Sequence, residues 1–117
     1  MQARQAPSHR LIVLDVAIDA IATARPLVGR IRRCDRELGE QIRCAMSSVA
    51  LNIGEASHSE GGNRTSRFSS ASGSAAEARA GLRVAAAWGY IEPAEADAVD
   101  ALLDRVARIL HGLGARR

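Results

Sequence analysis

The chain has 117 residues, of which 16 are arginine and none is lysine, and a formal net charge of +3. This length fits a single domain, and no apolar run approaches the roughly 18 residues of a membrane-spanning helix, so no membrane partner is expected. Cys34 and Cys44 lack the spacing of a zinc or redox motif, which predicts reduced thiols in a cytoplasmic protein. Aromatic residues make up only 3% of the chain, so we expect a core of small side chains.

The first predicted helix, at about 9–33, carries apolar residues at three- and four-residue steps. Leu14, Ile18 and Ile21 fall on one face by this spacing, and we expect that face to contact the core. Pro26 lies inside the stretch. Because proline lacks an amide proton and clashes with the preceding turn, it predicts an end or a kink, although the segment beyond it can continue as helix.

Three further stretches repeat the helical spacing. The second predicted helix, at about 36–57, has the clearest periodicity of the chain and follows Asp35, a residue suited to cap a helix N-terminus. The third, at about 65–88, has mostly alanine at its apolar positions and should pack closely against its neighbours. The fourth lies at about 93–111.

Glycine and proline mark the predicted connections. Gly61 and Gly62 lie among Ser, Asn and Thr residues and predict a loop before the third helix. Gly89 is expected to end the third helix as a C-cap. Pro93 then occupies the first turn of the fourth, where a missing amide proton is tolerated.

These four amphipathic helices predict one all-α domain over residues 1–117, an up-down-up-down four-helix bundle. In that topology the start of the first helix, the ends of the second and fourth and the start of the third share one end of the bundle, which we call the histidine end. It collects His9, His58 and His111 with Arg10, Arg64, Arg67, Arg108, Arg116 and Arg117. Because guanidinium groups bind phosphate in a bidentate manner, these six arginines are the predicted nucleic-acid-binding residues.

The opposite end of the bundle is also rich in arginine. It carries Arg30, Arg32, Arg33 and Arg36, but the acidic start of the fourth helix lies beside them and partly cancels their field. The histidine end is therefore the stronger candidate for anion binding. A second interpretation of the arginine excess is coding bias in a GC-rich genome, in which case the basic charge carries no function.

The candidate catalytic and metal sites are incomplete. Glu55 and His58 form Glu-x-x-His, the ligand spacing of di-iron bundles, but no second such motif occurs. The three histidines come from separate segments without the short spacing of zinc ligands. Ser47 and Ser48 lie at least ten residues before His58, more than two helical turns and too far for a Ser–His pair. The sequence therefore predicts neither an enzyme nor a metal or other cofactor.

Polar residues accompany the apolar stripes of the second and third helices. They are Gln41, Ser48, Asn52 and Glu55 in the second helix and Ser74 and Glu77 in the third. We predict that these six residues form a structural polar network between two antiparallel helices and fix their register. A carboxylate in the interior would need a cation, for which Arg43, Arg67 and Arg79 are the candidates.

The same residues carry a family resemblance. The segments DRELGEQIRCAMSSVALNIGEA, RF, ASGSAAEARAGL and WGYI resemble the small bacterial four-helix-bundle proteins first noted inside 23S rRNA intervening sequences, which are related to the accessory variability protein of diversity-generating retroelements. The resemblance extends from about residue 11 to 110. It matches Q-[LI]-R-x-A to residues 41–45, S-[IV]-x-x-N-x-x-E to 48–55, G-S-x-x-E to 73–77 and L-G-Y to 88–90.

The resemblance implies a homo-oligomeric ring, usually a pentamer, and in the retroelement branch the binding of nucleic acid and of a reverse transcriptase. The chain departs from the family at Ala56, where glycine is usual, and at Cys44, where a second arginine is usual. Phe68 is the only aromatic residue at the approach to the third helix. These departures leave the bundle pattern intact and make the loop between the second and third helices less basic and less aromatic.

Two functions stay open. One is a non-enzymatic homo-oligomeric adaptor that binds RNA or DNA nonspecifically, because repetition around a ring would join its arginines into a continuous basic surface. The other is a protein-interaction scaffold without nucleic-acid binding, for which Val13, Leu27, Val84 and Trp88 are the predicted exposed subunit contacts. A third hypothesis, a metal-dependent oxidoreductase, would require stoichiometric iron or zinc.

Overall fold

The structure, a computed structural model, describes the backbone of residues 9–115 and the side chains of residues 12–113. Within this part of the chain every regular element is an α-helix, and none of these helices is long and apolar enough to cross a bilayer. The helices are α1 (His9–Cys34), α2 (Arg36–Ser57), α3 (Gly61–Ala87) and α4 (Pro93–Ala115). The all-α prediction is confirmed.

Short connections make consecutive helices antiparallel. Asp35 alone separates α1 from α2, residues 58–60 separate α2 from α3, and residues 88–92 separate α3 from α4. Each helix packs against its neighbours in sequence, and α1 also packs against α4. This arrangement closes the predicted up-down-up-down bundle, with its most extensive packing between α2 and α3.

The core combines one helix of small residues with larger side chains opposite. The buried stripe of α3 follows its predicted periodicity and consists of Phe68, Ala71, Ala75, Ala78, Leu82 and Ala85. Ile42, Ile53 and Leu103 of the neighbouring helices are buried in contact with it. Among the described residues no polar or charged side chain is buried. The stability of the bundle therefore rests on apolar burial and close packing.

Three of the predicted signals at the helix ends, Asp35, Gly89 and Pro93, are confirmed. Asp35 has an extended backbone, and its Oδ1 accepts a hydrogen bond from the Leu38 amide at 3.0 Å, so it is the N-cap of α2. Gly89 has a φ of 83°, and this left-handed conformation lets the Tyr90 amide donate back to the last turn of α3 at 3.0 Å. Pro93 is the first residue of α4.

Pro26 does not end α1, which continues from His9 to Cys34. Leu27, Val28 and Ile31 follow the proline directly and are all buried in the core. Burying side chains of this size contributes about 1.5–3 kcal/mol each. Together they outweigh the roughly 3 kcal/mol that a proline costs inside a helix.

α3 begins at Gly61, four residues before its predicted start at 65. The two glycines that predicted a loop instead form the first helical turn, which Gly61 enters with a φ of 58°. Arg64 and Thr65 are half-buried, and Thr65 Oγ1 donates to the Gly61 carbonyl at 3.3 Å. The helix starts here despite the poor helix propensity of glycine, about 1 kcal/mol per residue relative to alanine.

The core face of α1 differs from the predicted one. Val13 and Leu27, predicted to be exposed subunit contacts, are 0% and 5% exposed, whereas Ile18, predicted to face the core, is 50% exposed. Residues 11–22 are apolar except for two aspartates, so their periodicity does not single out one face. The bundle buries the face that carries Ala17, because small side chains let α1 approach its neighbours closely.

Two glycines lie at the closest approaches between helices. A Cβ atom at Gly39 would lie 2.9 Å from both the Cα and the backbone nitrogen of Arg32, so α2 meets the backbone of α1 there. A Cβ atom at Gly81 would lie 2.7 Å from Ile42 Cγ1. Both separations are shorter than van der Waals contact, and a methyl group at either position would displace its neighbour.

We expect Gly39→Ala to lower the free energy of unfolding by about 1–3 kcal/mol, because the added methyl overpacks against backbone that cannot rotate away. Gly54→Ala is the matched control on the same helix, since its Cβ would have no atom within 4 Å. That control should raise stability by up to about 1 kcal/mol through helix propensity. Urea unfolding followed by far-UV circular dichroism measures both, and equal stability changes would contradict the close approach at Gly39.

Candidate functional site

The six residues of the predicted polar network lie along one outer face of the bundle, between α2 and α3. Gln41, Glu55 and Glu77 are exposed, and Ser48, Asn52 and Ser74 are half-buried. Two shallow grooves of about 440 and 410 Å³ follow this face and meet at Cys44 and Ser48. We call the residues that line these two grooves the α2–α3 face. They are Glu37, Glu40, Gln41, Arg43, Cys44, Ala45, Ser47, Ser48, Leu51, Asn52, Glu55, Arg67, Ser74 and Glu77.

Ser48 is the centre of the hydrogen bonds on this face. Its Oγ accepts from Ser74 Oγ at 2.9 Å and from Asn52 Nδ2 at 3.0 Å, and the same amide nitrogen donates to the Ser48 carbonyl at 2.9 Å. Arg67 Nη1 donates to Asn52 Oδ1 at 3.4 Å. The structure thus joins Ser48, Asn52 and Ser74 across two helices and adds Arg67 to them.

The other three network residues are not part of this cluster. Gln41, Glu55 and Glu77 form no side-chain hydrogen bond with any described residue, and their exposure removes the expected need for a buried cation. The polar positions adjoin the core stripe of α2 but lie on its outer edge, because Ile42, Val49 and Ile53 occupy the interior. The structure therefore joins three of the six predicted network residues and places all six outside the apolar interior.

Two of the arginines considered as partners for an interior carboxylate bind other acids. Arg79 donates to Asp100 through Nε at 2.8 Å and Nη2 at 3.1 Å, and it also lies 3.4 Å from Asp104. The hydrogen bond to Asp100 raises the pKa of Arg79. Arg43 is bound to Glu40 at 3.1 Å. These two arginines act within ion pairs of the protomer, which removes them as free cations.

The structure describes part of the predicted arginine site at the histidine end. Arg64 and Arg67 lie in the first two turns of α3; Arg67 is exposed, and Arg64 is half-buried with an Nε that has no hydrogen-bond partner among the described atoms. Arg108 is exposed and forms an ion pair with Asp104 at 3.1 Å. Arg10 lies in the first turn of α1, but its side chain, like Arg116 and Arg117, is outside the described part of the chain.

Three large apolar side chains of α2 and of the α3 C-terminus are exposed, and one of them, Leu51, lines the α2–α3 face. Leu51 and Trp88 are each 69% exposed and Val84 is 44% exposed. The Trp88 ring stacks beside Tyr90, with centroids 6.4 Å apart and an interplanar angle of 18°. Val84 and Trp88 are two of the predicted subunit contacts. Leu51 was not predicted, although its signal is present as an apolar residue at an outward position of a strongly periodic helix.

The opposite end of the bundle contains a second arginine group that sequence analysis ranked lower. Arg32 and Arg43 both bind Glu40, at 2.9 and 3.1 Å. The hydrogen bond from Arg43, followed by the charge of Arg32, lowers the pKa of Glu40. Arg30 forms an ion pair with Glu95 that joins α1 to α4. This pairing between helices depends on their register and could not be read from sequence.

The candidate metal ligands and nucleophiles among the described residues lie at the surface. Glu55 and His58 are both exposed, and no group of three His, Cys, Asp or Glu side chains within the described part of the chain could bind a metal ion. His111 is exposed on α4, and Cys34 and Cys44 are exposed free thiols. The α2–α3 face presents hydrogen-bonding, apolar and guanidinium groups.

Comparison with known proteins agrees with this architecture. A sequence profile of the family described as 23S rRNA-intervening sequence protein matches residues 11–112. The chain is similar to the crystal structure of a protein with unknown function from the S23 ribosomal protein family of Bacteroides thetaiotaomicron VPI-5482, with a TM-score of 0.75 and 16% identity over 87% of this chain and 97% of that one. A comparison with curated proteins gives no significant match.

We expect Ser74→Ala to lower the free energy of unfolding by about 1 kcal/mol, because it removes the hydrogen bond between α3 and Ser48. Ser70→Ala, one turn earlier on the same helix and exposed, is the matched control and should change stability by less than about 0.5 kcal/mol. Chemical denaturation measures the two variants side by side. If they unfold at the same denaturant concentration, the link between Ser74 and Ser48 does not stabilise the bundle.

Proposed function

Because the chain belongs to the family of 23S rRNA-intervening sequence proteins, we propose that it acts without catalysis, as a homo-oligomeric adaptor that binds RNA or DNA nonspecifically. The observation that carries this proposal is the α2–α3 face together with Val84 and Trp88. Unpartnered polar groups lie with Leu51 on this face, and Val84 and Trp88 are exposed on and just after α3, outside a bundle whose described core is wholly apolar. Such a surface is suited to contact another protein molecule.

Self-association through this surface has a clear energetic basis. Leu51 and Trp88 keep more than two thirds of their surface exposed in the protomer, and burying a large apolar side chain contributes about 1.5–3 kcal/mol. Gln41, Glu55 and Glu77 supply hydrogen-bonding groups that the protomer leaves without side-chain partners among its described residues. A second copy of the chain can cover the apolar groups and pair the polar ones. The family resemblance favours a ring of five copies.

Nucleic-acid binding would use the arginines of the histidine end. Arg67 is exposed near the start of α3, and Arg64 precedes it by one turn. A net charge of +3 is modest for one protomer, but repetition around a ring multiplies the number of phosphates contacted at once. Binding of this kind releases counterions and weakens steeply as the salt concentration rises.

A scaffold that binds only proteins is the second candidate, and the exposure of Leu51 and Trp88 favours it. Both side chains remain available if the arginines have no function. In that case a partner protein occupies the α2–α3 face, Val84 and Trp88 in place of a second copy of the chain. The resemblance to the retroelement branch implies a reverse transcriptase as one such partner. Measuring nucleic-acid affinity and oligomer mass separately distinguishes the adaptor from the scaffold.

We expect Arg67→Ala to weaken binding to a labelled RNA or DNA oligonucleotide by about threefold to tenfold and to reduce the salt slope by about one, because one phosphate contact is lost. Arg83→Ala is the matched control, since it removes an exposed arginine from the other end of the same helix. Fluorescence polarisation across a salt series measures both effects. Salt-independent affinity, or full affinity after replacing both Arg64 and Arg67, would refute nucleic-acid binding at the histidine end.

We expect Leu51→Glu and Trp88→Glu to convert the oligomer into monomers, because each places a charge where the proposed interface buries apolar surface. Ile18→Glu is the control: Ile18 is 50% exposed but lies on α1. That variant should keep the wild-type mass in multi-angle light scattering. An unchanged mass for both Leu51→Glu and Trp88→Glu would contradict self-association through this surface and leave the scaffold as the better candidate.

A further inference from the structure

The turn between α1 and α2 forms an arginine-lined cleft at the end of the bundle opposite the histidine end. Gly29, Arg32, Arg33 and Arg36 line this cleft, whose volume is about 360 Å³. Asp35 is the only residue between the two helices. The last turn of α1 and the first turn of α2 therefore present their guanidinium groups to one shared space, which we call the arginine cleft.

Some of the arginines around the arginine cleft form ion pairs with an acid of the protomer, and others do not. Arg32 and Arg43 both bind Glu40, which Arg36 also attracts through its charge. Arg33 and Arg36 form no ion pair within the described part of the chain. Between residues 32 and 43, four arginines thus stand against three acids, Asp35, Glu37 and Glu40, which gives a formal surplus of one positive charge.

The helices hold the arginine cleft in a fixed geometry. Gly39 packs directly against the backbone of Arg32, which sets the spacing of α1 and α2 beside the turn. Asp35 caps α2 through its side-chain hydrogen bond to the Leu38 amide. Because the backbone on both sides of the turn is fixed by packing and capping, little backbone entropy is lost when an anion binds.

Gly29 leaves room in the arginine cleft beside the Arg33 guanidinium. An added Cβ there would meet only Arg33 Nη1, at 3.9 Å, so the Arg33 head group lies over a position without a side chain. Both this head group and that of Arg36 are exposed at the surface. Two unpaired guanidinium groups beside an open volume match the bidentate recognition of a tetrahedral oxyanion.

We propose that the arginine cleft is a phosphate-binding site in which Arg33 and Arg36 donate to the phosphate oxygens and Arg32 adds its positive field. The bound group is either a backbone phosphate of a nucleic acid or a free polyphosphate, since both present the same oxygens. This site goes beyond the proposed function, because it lies at the other end of the bundle from Arg64 and Arg67. It binds phosphate whether or not the histidine end binds nucleic acid.

Two substitutions at one position test the arginine cleft. Gly29→Glu places a carboxylate one helical turn before Arg33, where it pairs with the guanidinium and repels an anion. Gly29→Gln adds almost the same volume without charge. Ala22→Glu introduces the same charge at an exposed position about two turns earlier and controls for net charge. Circular dichroism of each variant verifies that the bundle is intact.

Isothermal titration calorimetry with inorganic pyrophosphate at low salt measures the affinity of the arginine cleft for phosphate directly. We expect Gly29→Glu and the double variant Arg33→Ala/Arg36→Ala to weaken pyrophosphate binding by about tenfold or more, because charge-assisted contacts are lost. Gly29→Gln and Ala22→Glu should stay within about twofold of wild type. A labelled single-stranded RNA, titrated by fluorescence polarisation with the same four variants, identifies the source of the phosphate.

Each combination of results decides the proposal. Loss of pyrophosphate binding alone assigns the arginine cleft to a free polyphosphate, and loss of RNA affinity in Gly29→Glu but not Gly29→Gln assigns it to a nucleic-acid backbone. If neither probe separates Gly29→Glu from Gly29→Gln and Ala22→Glu, the phosphate site does not exist. The pyrophosphate arm does not involve Arg67, so failure of nucleic-acid binding at the histidine end leaves this test intact.

Discussion

The alanine stripe of α3 is the constraint on which the rest of the bundle depends. Ala71, Ala75, Ala78 and Ala85 are fully buried, so the space between the helices must be filled by long side chains from the other three. Close approach is also required at Gly81, which faces Ile42 across the α2–α3 contact. A buried charge needs a partner and hydrogen bonds of its own. Helices that pack this closely leave no interior volume for those additional groups.

This constraint explains where the polar residues lie. Gln41, Ser48 and Asn52 occupy positions next to the core stripe of α2, and a wider interior would have enclosed them. In the narrow bundle they remain at the outer edge of the α2–α3 contact. Ser48 and Asn52 still join the two helices through hydrogen bonds, while Gln41 faces outward. The same sequence pattern therefore combines a contact within the protomer with polar groups that stay exposed at its surface.

The fold could be predicted from sequence where local chemistry decides the outcome. Asp35, Gly89 and Pro93 each act through their own backbone or side chain, and the strict periodicity of α2 and α3 leaves one face to bury. Tertiary packing decides the rest. At Pro26 the sequence left an end, a kink or a continuing helix open, and the buried residues that follow it keep α1 helical. The predicted start of the third helix at about 65 was wrong, because α3 begins at Gly61.

The face of α1 and the location of the polar network show a different limit. Both sides of the apolar stretch in α1 satisfy a helical period, so only the shape of the neighbouring helices selects Val13 over Ile18. Sequence spacing likewise placed Ser48, Asn52 and Ser74 on adjoining edges but could not state their depth. The depth at which these side chains are buried depends on the distance between the axes of α2 and α3. The small residues of α3 and the side chains that face them from the neighbouring helices set that distance.

Arginine content by itself does not identify an anion site in this chain. Arg30, Arg32, Arg43, Arg79 and Arg108 are each bound to a carboxylate of the protomer, whereas Arg33 and Arg36 have no such partner among the described residues. An exposed ion pair adds little stability, typically below about 1 kcal/mol, yet it removes a guanidinium from the set that can bind phosphate. Since Arg30 and Glu95 are 65 residues apart in sequence, such pairing follows from the register of the helices. The charge available for recognition is therefore a property of the assembled bundle and differs from the charge counted along the chain.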